Sequence, residues 1–142
     1  MSALKLREGF YWTGIIDDKL RVFDIIMYTE FGTTYNSYAM KAGDKVILFE
    51  TAKAKFWDEY LENLKEVIDV TKIDYLVVSH TEPDHAGSVE MLLDLSPQMK
   101  ILATGCAIGF LKEIVNRDFV AIPVKDSQVM EIGGKTLRFM HV

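Results

Sequence analysis

The sequence predicts a single α/β domain, and three observations carry the prediction. Short apolar runs rich in β-branched and aromatic residues recur through the first fifty residues and again at 74–79 and 100–103, as buried strands do. Between them, Phe56, Tyr60, Leu64, Val67 and Ile68 recur at spacings of three and four, the period of an amphipathic helix. The third is the run Ser79-His80-Thr81-Glu82-Pro83-Asp84-His85-Ala86-Gly87-Ser88, placed where a strand gives way to a helix. Open α/β folds build their ligand sites at such strand ends.

The elements follow in order. Gly9 to Ile16 and Leu20 to Ile26 are strand-like, separated by the polar Asp17-Asp18-Lys19, so an opening β-hairpin is expected with both aspartates as turn formers. Gly32 to Met40 reads as a third strand and Lys45 to Glu50 as a fourth, joined by Lys41-Ala42-Gly43-Asp44. Four strands thus precede the helix that starts at Phe56. In that helix Asp58, Glu59, Glu62, Lys65 and Glu66 occupy the face opposite the apolar stripe. Asp69-Val70-Thr71-Lys72 ends it, and Asp74 to Ser79 is a buried strand. After the polar run, Val89, Met91, Leu92, Leu93 and Leu95 suit a short helix. Lys100 to Ala103 is a strand, Ile108, Leu111, Ile114 and Val115 suit a helix ending near Asn116, and Phe119 to Ile122 is another strand. Glu131 to Lys135 carries Gly133-Gly134 at the centre of a hairpin turn. Leu137 and Phe139 then run as a strand into His141. No repeat, linker or low-complexity segment marks a second domain, so 1–142 reads as one unit whose final boundary looks imposed.

Composition narrows the function. The 142 residues are 49% hydrophobic, ordinary for a globular domain with a real core. A net charge of −5 with scattered Lys and Arg gives no basic stripe, which argues against a nucleic-acid partner. No apolar run reaches the length of a membrane span or signal core, and a cytoplasmic location is expected. The lone cysteine, Cys106, forms no internal disulfide and is expected as a buried free thiol among small and apolar neighbours. Trp12, Trp57 and Tyr35 are expected in the core rather than at a cofactor. Glu50-Thr51 closes a strand near the polar run, either as a group orienting a histidine or as a turn and cap.

The polar run carries the chemistry. In an extended turn, alternate side chains tend toward one side, so His80, Glu82 and Asp84 can converge while Thr81 and Pro83 face away. Pro83 keeps Glu82 out of the α region, and His85 would open the following helix. Two imidazoles and two carboxylates within six positions suit one metal ion or two, with iron, zinc and manganese all compatible. The plainer reading makes Ser79 or Thr81 an N-cap, Asp84 a favourable first-turn charge and the histidines merely exposed.

These residues resemble a known family. Tyr11-Trp12 with Ile15-Ile16-Asp17, then Gly32-Thr33-Thr34-Tyr35-Asn36-Ser37-Tyr38, then Lys72 through Gly87 are similar to the opening of flavodiiron proteins, the A-type flavoproteins. The resemblance implies a metallo-β-lactamase-like αββα sandwich, of which 1–142 would be about the first half, with the flavodoxin-like FMN domain lying outside it. The motif H-x-E-x-D-H stands where related hydrolases have H-x-H-x-D-H. By that likeness His80, Glu82 and His141 would bind one iron and Asp84 the other, with His85 a ligand or a close neighbour of one. The implied chemistry is reduction of dioxygen to water or of nitric oxide to nitrous oxide, with FMN and a rubredoxin-like donor supplying electrons. Glu82 in place of an imidazole makes the donor set harder and more anionic, which favours iron over the zinc of a hydrolase. His80, Glu82 and His141 also have the composition of a two-histidine, one-carboxylate iron site.

A half sandwich would leave bare the sheet face its partner covers, so a completing polypeptide or a homodimer is expected. Two other readings compete: a zinc hydrolase of the same fold, and a non-catalytic fragment that only binds metal or a partner.

Overall fold

A computed structural model of the chain describes residues 2–23, 27–28, 31–82 and 86–141. Its centre is a seven-stranded sheet in the order β1-β2-β7-β8-β9-β10-β11. The strands are β1 (Leu4–Arg7), β2 (Phe10–Trp12), β7 (Tyr38–Ala42), β8 (Lys45–Phe49), β9 (Tyr75–Val77), β10 (Lys100–Ala103) and β11 (Val120–Pro123). Pairing is antiparallel from β1 to β8 and parallel from β8 to β11. Each parallel step is made by a crossover through a helix, as parallel strands require. The helices are α1 (Trp57–Lys65), entered through a 3-10 turn at Ala54–Phe56, α2 (Val89–Leu95) and α3 (Gly105–Ile114).

Strand alternation sorts the two faces. Leu48, Leu76, Ile101 and Ala103 turn to the helices and join Tyr60, Leu64, Val89, Leu92, Leu93, Ile108 and Leu111 in one buried cluster. Ile47 and Leu102 face the other way with Phe49, Tyr75 and Val77. That second face is covered in part by a hairpin of β12 (Val129–Ile132) and β13 (Lys135–Arg138), through Ile132, Met130 and Leu137. Gly133 and Gly134 form its two-residue loop with φ of 56° and 85°, the left-handed pair that matches strand twist. Met40, Phe49, Tyr75, Val77 and Ile122 on this face stay only half-buried.

Among the described residues, the opening hairpin expected across Asp17-Asp18-Lys19 does not form; residues 24–26 of its expected second strand lie outside them. β3 (Ile15–Asp17) pairs instead with β6 (Thr33–Tyr35), and β4 (Val22–Phe23) pairs with β5 (Met27–Tyr28). The distant pairing brings Ile15 and Tyr35 into the core at 0% and 1% exposure, and that burial outweighs local turn propensity. Asp17 keeps a turn role, since its Oδ1 accepts the Lys19 amide at 3.3 Å, while Oδ2 accepts the Tyr35 hydroxyl at 3.1 Å. The expected third strand is split into β6 and β7 by Asn36-Ser37. There the Ser37 carbonyl takes the Thr13 amide and the Asn36 side chain takes the Trp12 indole N–H. Among the described residues, eight strands rather than four precede the first helix. β1 was not anticipated, because all four of its residues are exposed and it carries no buried alternation.

Cys106 corrects a second expectation: it is exposed. Ile108 and Leu111 form the buried stripe of α3, continued by Val115 at its C-cap, and Cys106 lies two residues before Ile108, about 200° round the helix. Ile114, expected on the same stripe, is 54% exposed. Tyr35 is core, and Trp57 packs against the core cluster.

Candidate metal centre

The candidate ligands follow the C-terminal end of β9, a central strand whose parallel neighbours β8 and β10 end at the same edge. His80 and Glu82 leave that end in a non-helical turn, each about half exposed, with Nε2 of His80 3.7 Å from Oε2 of Glu82. Asp84 and His85 lie outside the described residues.

His141 reaches the same end of the sheet from β13. Phe139 donates to the Gln128 carbonyl at 2.8 Å, Ser127 donates to the Phe139 carbonyl at 2.6 Å, and the His141 amide donates to Asp126 Oδ1 at 2.9 Å. These bonds tie the segment after β13 to the loop after β11. Ser79, Thr104, Asp126 and His141 then line one cleft of about 160 Å³, floored by Val77, Leu102 and Phe139. Thr104 is fixed there as the N-cap of α3, its side chain accepting the Ala107 amide at 3.2 Å.

Among the described residues no three His, Cys, Asp or Glu side chains come close enough together to hold a metal. His80 and Glu82 are a pair, and His141 stands on the cleft wall held by Asp126 rather than completing a triad with them. The pair itself fits a shared ion. Two donors each about 2.1 Å from one metal lie about 3.0 Å apart at a right angle and about 3.4 Å apart at the tetrahedral angle. The observed 3.7 Å asks for a few tenths of an ångström of closure between two half-exposed side chains. An imidazole nitrogen and a carboxylate oxygen are the donor types for iron, zinc or manganese.

Glu50 underlies this turn. It directly follows β8 with a left-handed φ of 63°, a conformation costing a non-glycine residue roughly 1–2 kcal/mol. Its amide donates to the Val77 carbonyl at 2.9 Å, and its Oε1 accepts both the amide and the hydroxyl of Ser79 at 2.5 Å. The Ser79 hydroxyl therefore serves Glu50 rather than a helix cap. The Glu50 carbonyl is held from below, accepting the Ser37 hydroxyl at 2.9 Å. Ser37 in turn lies 2.7 Å from the Tyr60 hydroxyl and accepts Thr13 at 3.3 Å. Thr13, Ser37 and Tyr60 are fully buried, and burial pushes the Tyr60 phenol well above its ordinary pKa. Asp126 and Thr104 were not singled out in the sequence. The signal that could have found them is position, since Thr104 directly follows β10 and Asp126 lies three residues beyond β11, both at the C-terminal ends of parallel strands.

A mixed sheet with helices on one face and a polar turn after its central strand is the architecture of a metallo-β-lactamase-like domain. The chain belongs to the family described as ODP family beta lactamase, whose profile matches residues 33–142, and within it to the flavodiiron type. Flavo-diiron protein FprA2 of Clostridium acetobutylicum is 43% identical over 98% of this chain and 35% of its own length. A nitric oxide reductase of Moorella thermoacetica is 36% identical over 99% of this chain and 35% of its own. The solved structure of rubredoxin oxygen:oxidoreductase from Desulfovibrio gigas superposes with a TM-score of 0.91 at 34% identity, covering 98% of this chain and 35% of that one. The chain thus spans about a third of the length of these relatives.

Proposed function

We propose that residues 1–142 are the N-terminal portion of a metallo-β-lactamase-like diiron domain and contribute ligands to a non-haem iron centre that reduces dioxygen or nitric oxide. The observation that carries this reading is the His80–Glu82 pair at the end of β9, 3.7 Å apart. His141 lies on the neighbouring cleft wall. In this reading His80, Glu82 and His141 serve one iron and Asp84 the other, with His85 beside them.

Iron held by these residues would supply one-electron redox chemistry. The chain's own part is binding and orientation. His80 offers a neutral imidazole and Glu82 an anionic oxygen, a donor set that favours the oxidised state of a hard metal. The apolar floor of Val77, Leu102 and Phe139 lies beside His141 in the neighbouring cleft and suits a small uncharged substrate. Names of the relatives support both substrates, one being a nitric oxide reductase and another a rubredoxin oxygen:oxidoreductase. We assign FMN and a rubredoxin-like donor as the electron supply and the cytoplasm as the compartment. No helix among the described residues is long and apolar enough to cross a membrane. The half-buried face at Met40, Phe49, Tyr75, Val77 and Ile122 is the surface that a completing polypeptide or a second copy would cover.

The test is metal per chain after anaerobic loading with ferrous iron, with solution mass measured on the same sample. Two irons per chain, together with a completing partner or dimer, is the expected result. One iron per chain confines the chain to the ligand set of His80, Glu82 and His141. Preference for zinc with ester or thioester hydrolysis, or no metal at all, overturns the reading.

A further inference from the structure

We propose that Glu50 is a positioning residue for the candidate metal ligands: its carboxylate locks Ser79 so that His80 and Glu82 leave β9 in one direction. The inference rests on the metal reading of His80 and Glu82.

Three observations carry it. Glu50 holds a left-handed φ of 63° that glycine would adopt without strain, and such conformations persist where the surrounding structure over-determines them. One oxygen of its carboxylate receives both hydrogen-bond donors of Ser79, 29 residues away, at 2.5 Å. Ser79 is exposed, so water would satisfy both donors equally well. The contact therefore does not rescue buried polar groups; it determines where the chain goes next, and the next residue is His80. Charge assistance makes these two bonds stronger than neutral ones.

The anchor is rigid from the other side as well. The Glu50 carbonyl is bonded by Ser37, whose hydroxyl meets Tyr60 of α1 and Thr13 ahead of β3. The Glu50 amide is tied to Val77 at the end of β9. The ligand turn is thereby referenced to the buried core, although its own residues are half exposed. Orientation of a ligand by an outer partner is commonly worth about ten- to a hundredfold in metal affinity.

The test uses the full chain with cobalt(II) as the probe, reading affinity and visible ligand-field bands, and amide exchange of the metal-free protein over residues 76–82. Variants are Glu50→Ala, Glu50→Gly, Glu50→Gln and, as a ligand control, His80→Ala. Glu50→Gly suits the left-handed backbone and keeps the test readable if the alanine variant fails to fold. Glu50→Gln keeps an acceptor oxygen.

The expected result has three parts. Cobalt affinity falls about ten- to a hundredfold in the alanine and glycine variants, with altered bands. Exchange speeds at 76–82 alone, at least about tenfold, as expected for a local opening. Glutamine restores most of both. Wild-type affinity and bands in Glu50→Gly, beside loss in His80→Ala, overturn the positioning role while the metal reading stands. Faster exchange spread over the whole chain also overturns it, because that is a stability effect. A wild-type protein that binds no cobalt overturns the metal reading, and this inference with it.

Discussion

The hydroxyl of Tyr60 lies 2.7 Å from Oγ of Ser37, and both residues are fully buried. The Ser37 hydroxyl also donates to the Glu50 carbonyl at 2.9 Å, and the Tyr60 hydroxyl reaches the same carbonyl at 3.4 Å. Replacing Tyr60 with phenylalanine removes the Ser37 bond and the longer contact with the Glu50 carbonyl, while Ser37 keeps Thr13 and Glu50 as partners, so Tyr60→Phe should cost about 1 kcal/mol in denaturant unfolding. The difference should shrink in alkali. Burial raises the Tyr60 pKa in the fold, so above about pH 10 the unfolded phenol loses its proton while the folded one keeps it. The unfolded state then binds fewer protons and stability falls with pH, by up to about 1.4 kcal/mol per unit. Stability measured from pH 8 to 11 checks this; a constant gap between the two proteins refutes it.

Gly133 and Gly134 both have positive φ, yet they should respond differently to alanine. A Cβ on Gly133 would overlap the Ala42 carbonyl oxygen, whereas one on Gly134 meets open space. Gly134→Ala should cost only the left-handed backbone strain, about 1–2 kcal/mol. Gly133→Ala should cost more and loosen Ile132 and Leu137 from the sheet. Thermal unfolding of both variants decides, and equal losses would count against the docked hairpin.

Leu76 is fully buried between the helices and the centre of the sheet, so Leu76→Ala should lose about 2–5 kcal/mol. Phe110 is also large and apolar but 54% exposed on α3, and Phe110→Ala should lie within about 0.5 kcal/mol of the parent. A large loss at Phe110 would mean that α3 is covered in solution.

Glu82 is the donor that separates an iron site from a zinc one. Glu82→His should move metal preference toward zinc by about tenfold or more, because an imidazole is softer and uncharged. Metal content after anaerobic exposure to equal ferrous iron and zinc reads this directly. An unchanged ratio would remove Glu82 from the metal.

What the sequence determined by itself is local. The strand at Lys100–Ala103, the amphipathic helix after Phe56 and the Gly133-Gly134 turn follow from periodicity and turn chemistry within a few residues, and the structure has them. The crowding of His80 and Glu82 is likewise a matter of adjacent positions, and with the stretches at 11–17 and 32–38 it was enough to point to the family. Tertiary structure decided whatever depended on distant partners. Ile15 pairs with Tyr35 rather than across Asp17-Asp18, because burying both side chains against the core outweighs a favourable turn. Cys106 faces solvent because the other side of α3 supplies the buried stripe. His141 reaches the cleft through Asp126, and Glu50 reaches Ser79 across 29 residues. No local pattern encodes such contacts, since their geometry exists only once the parallel strands have been brought side by side.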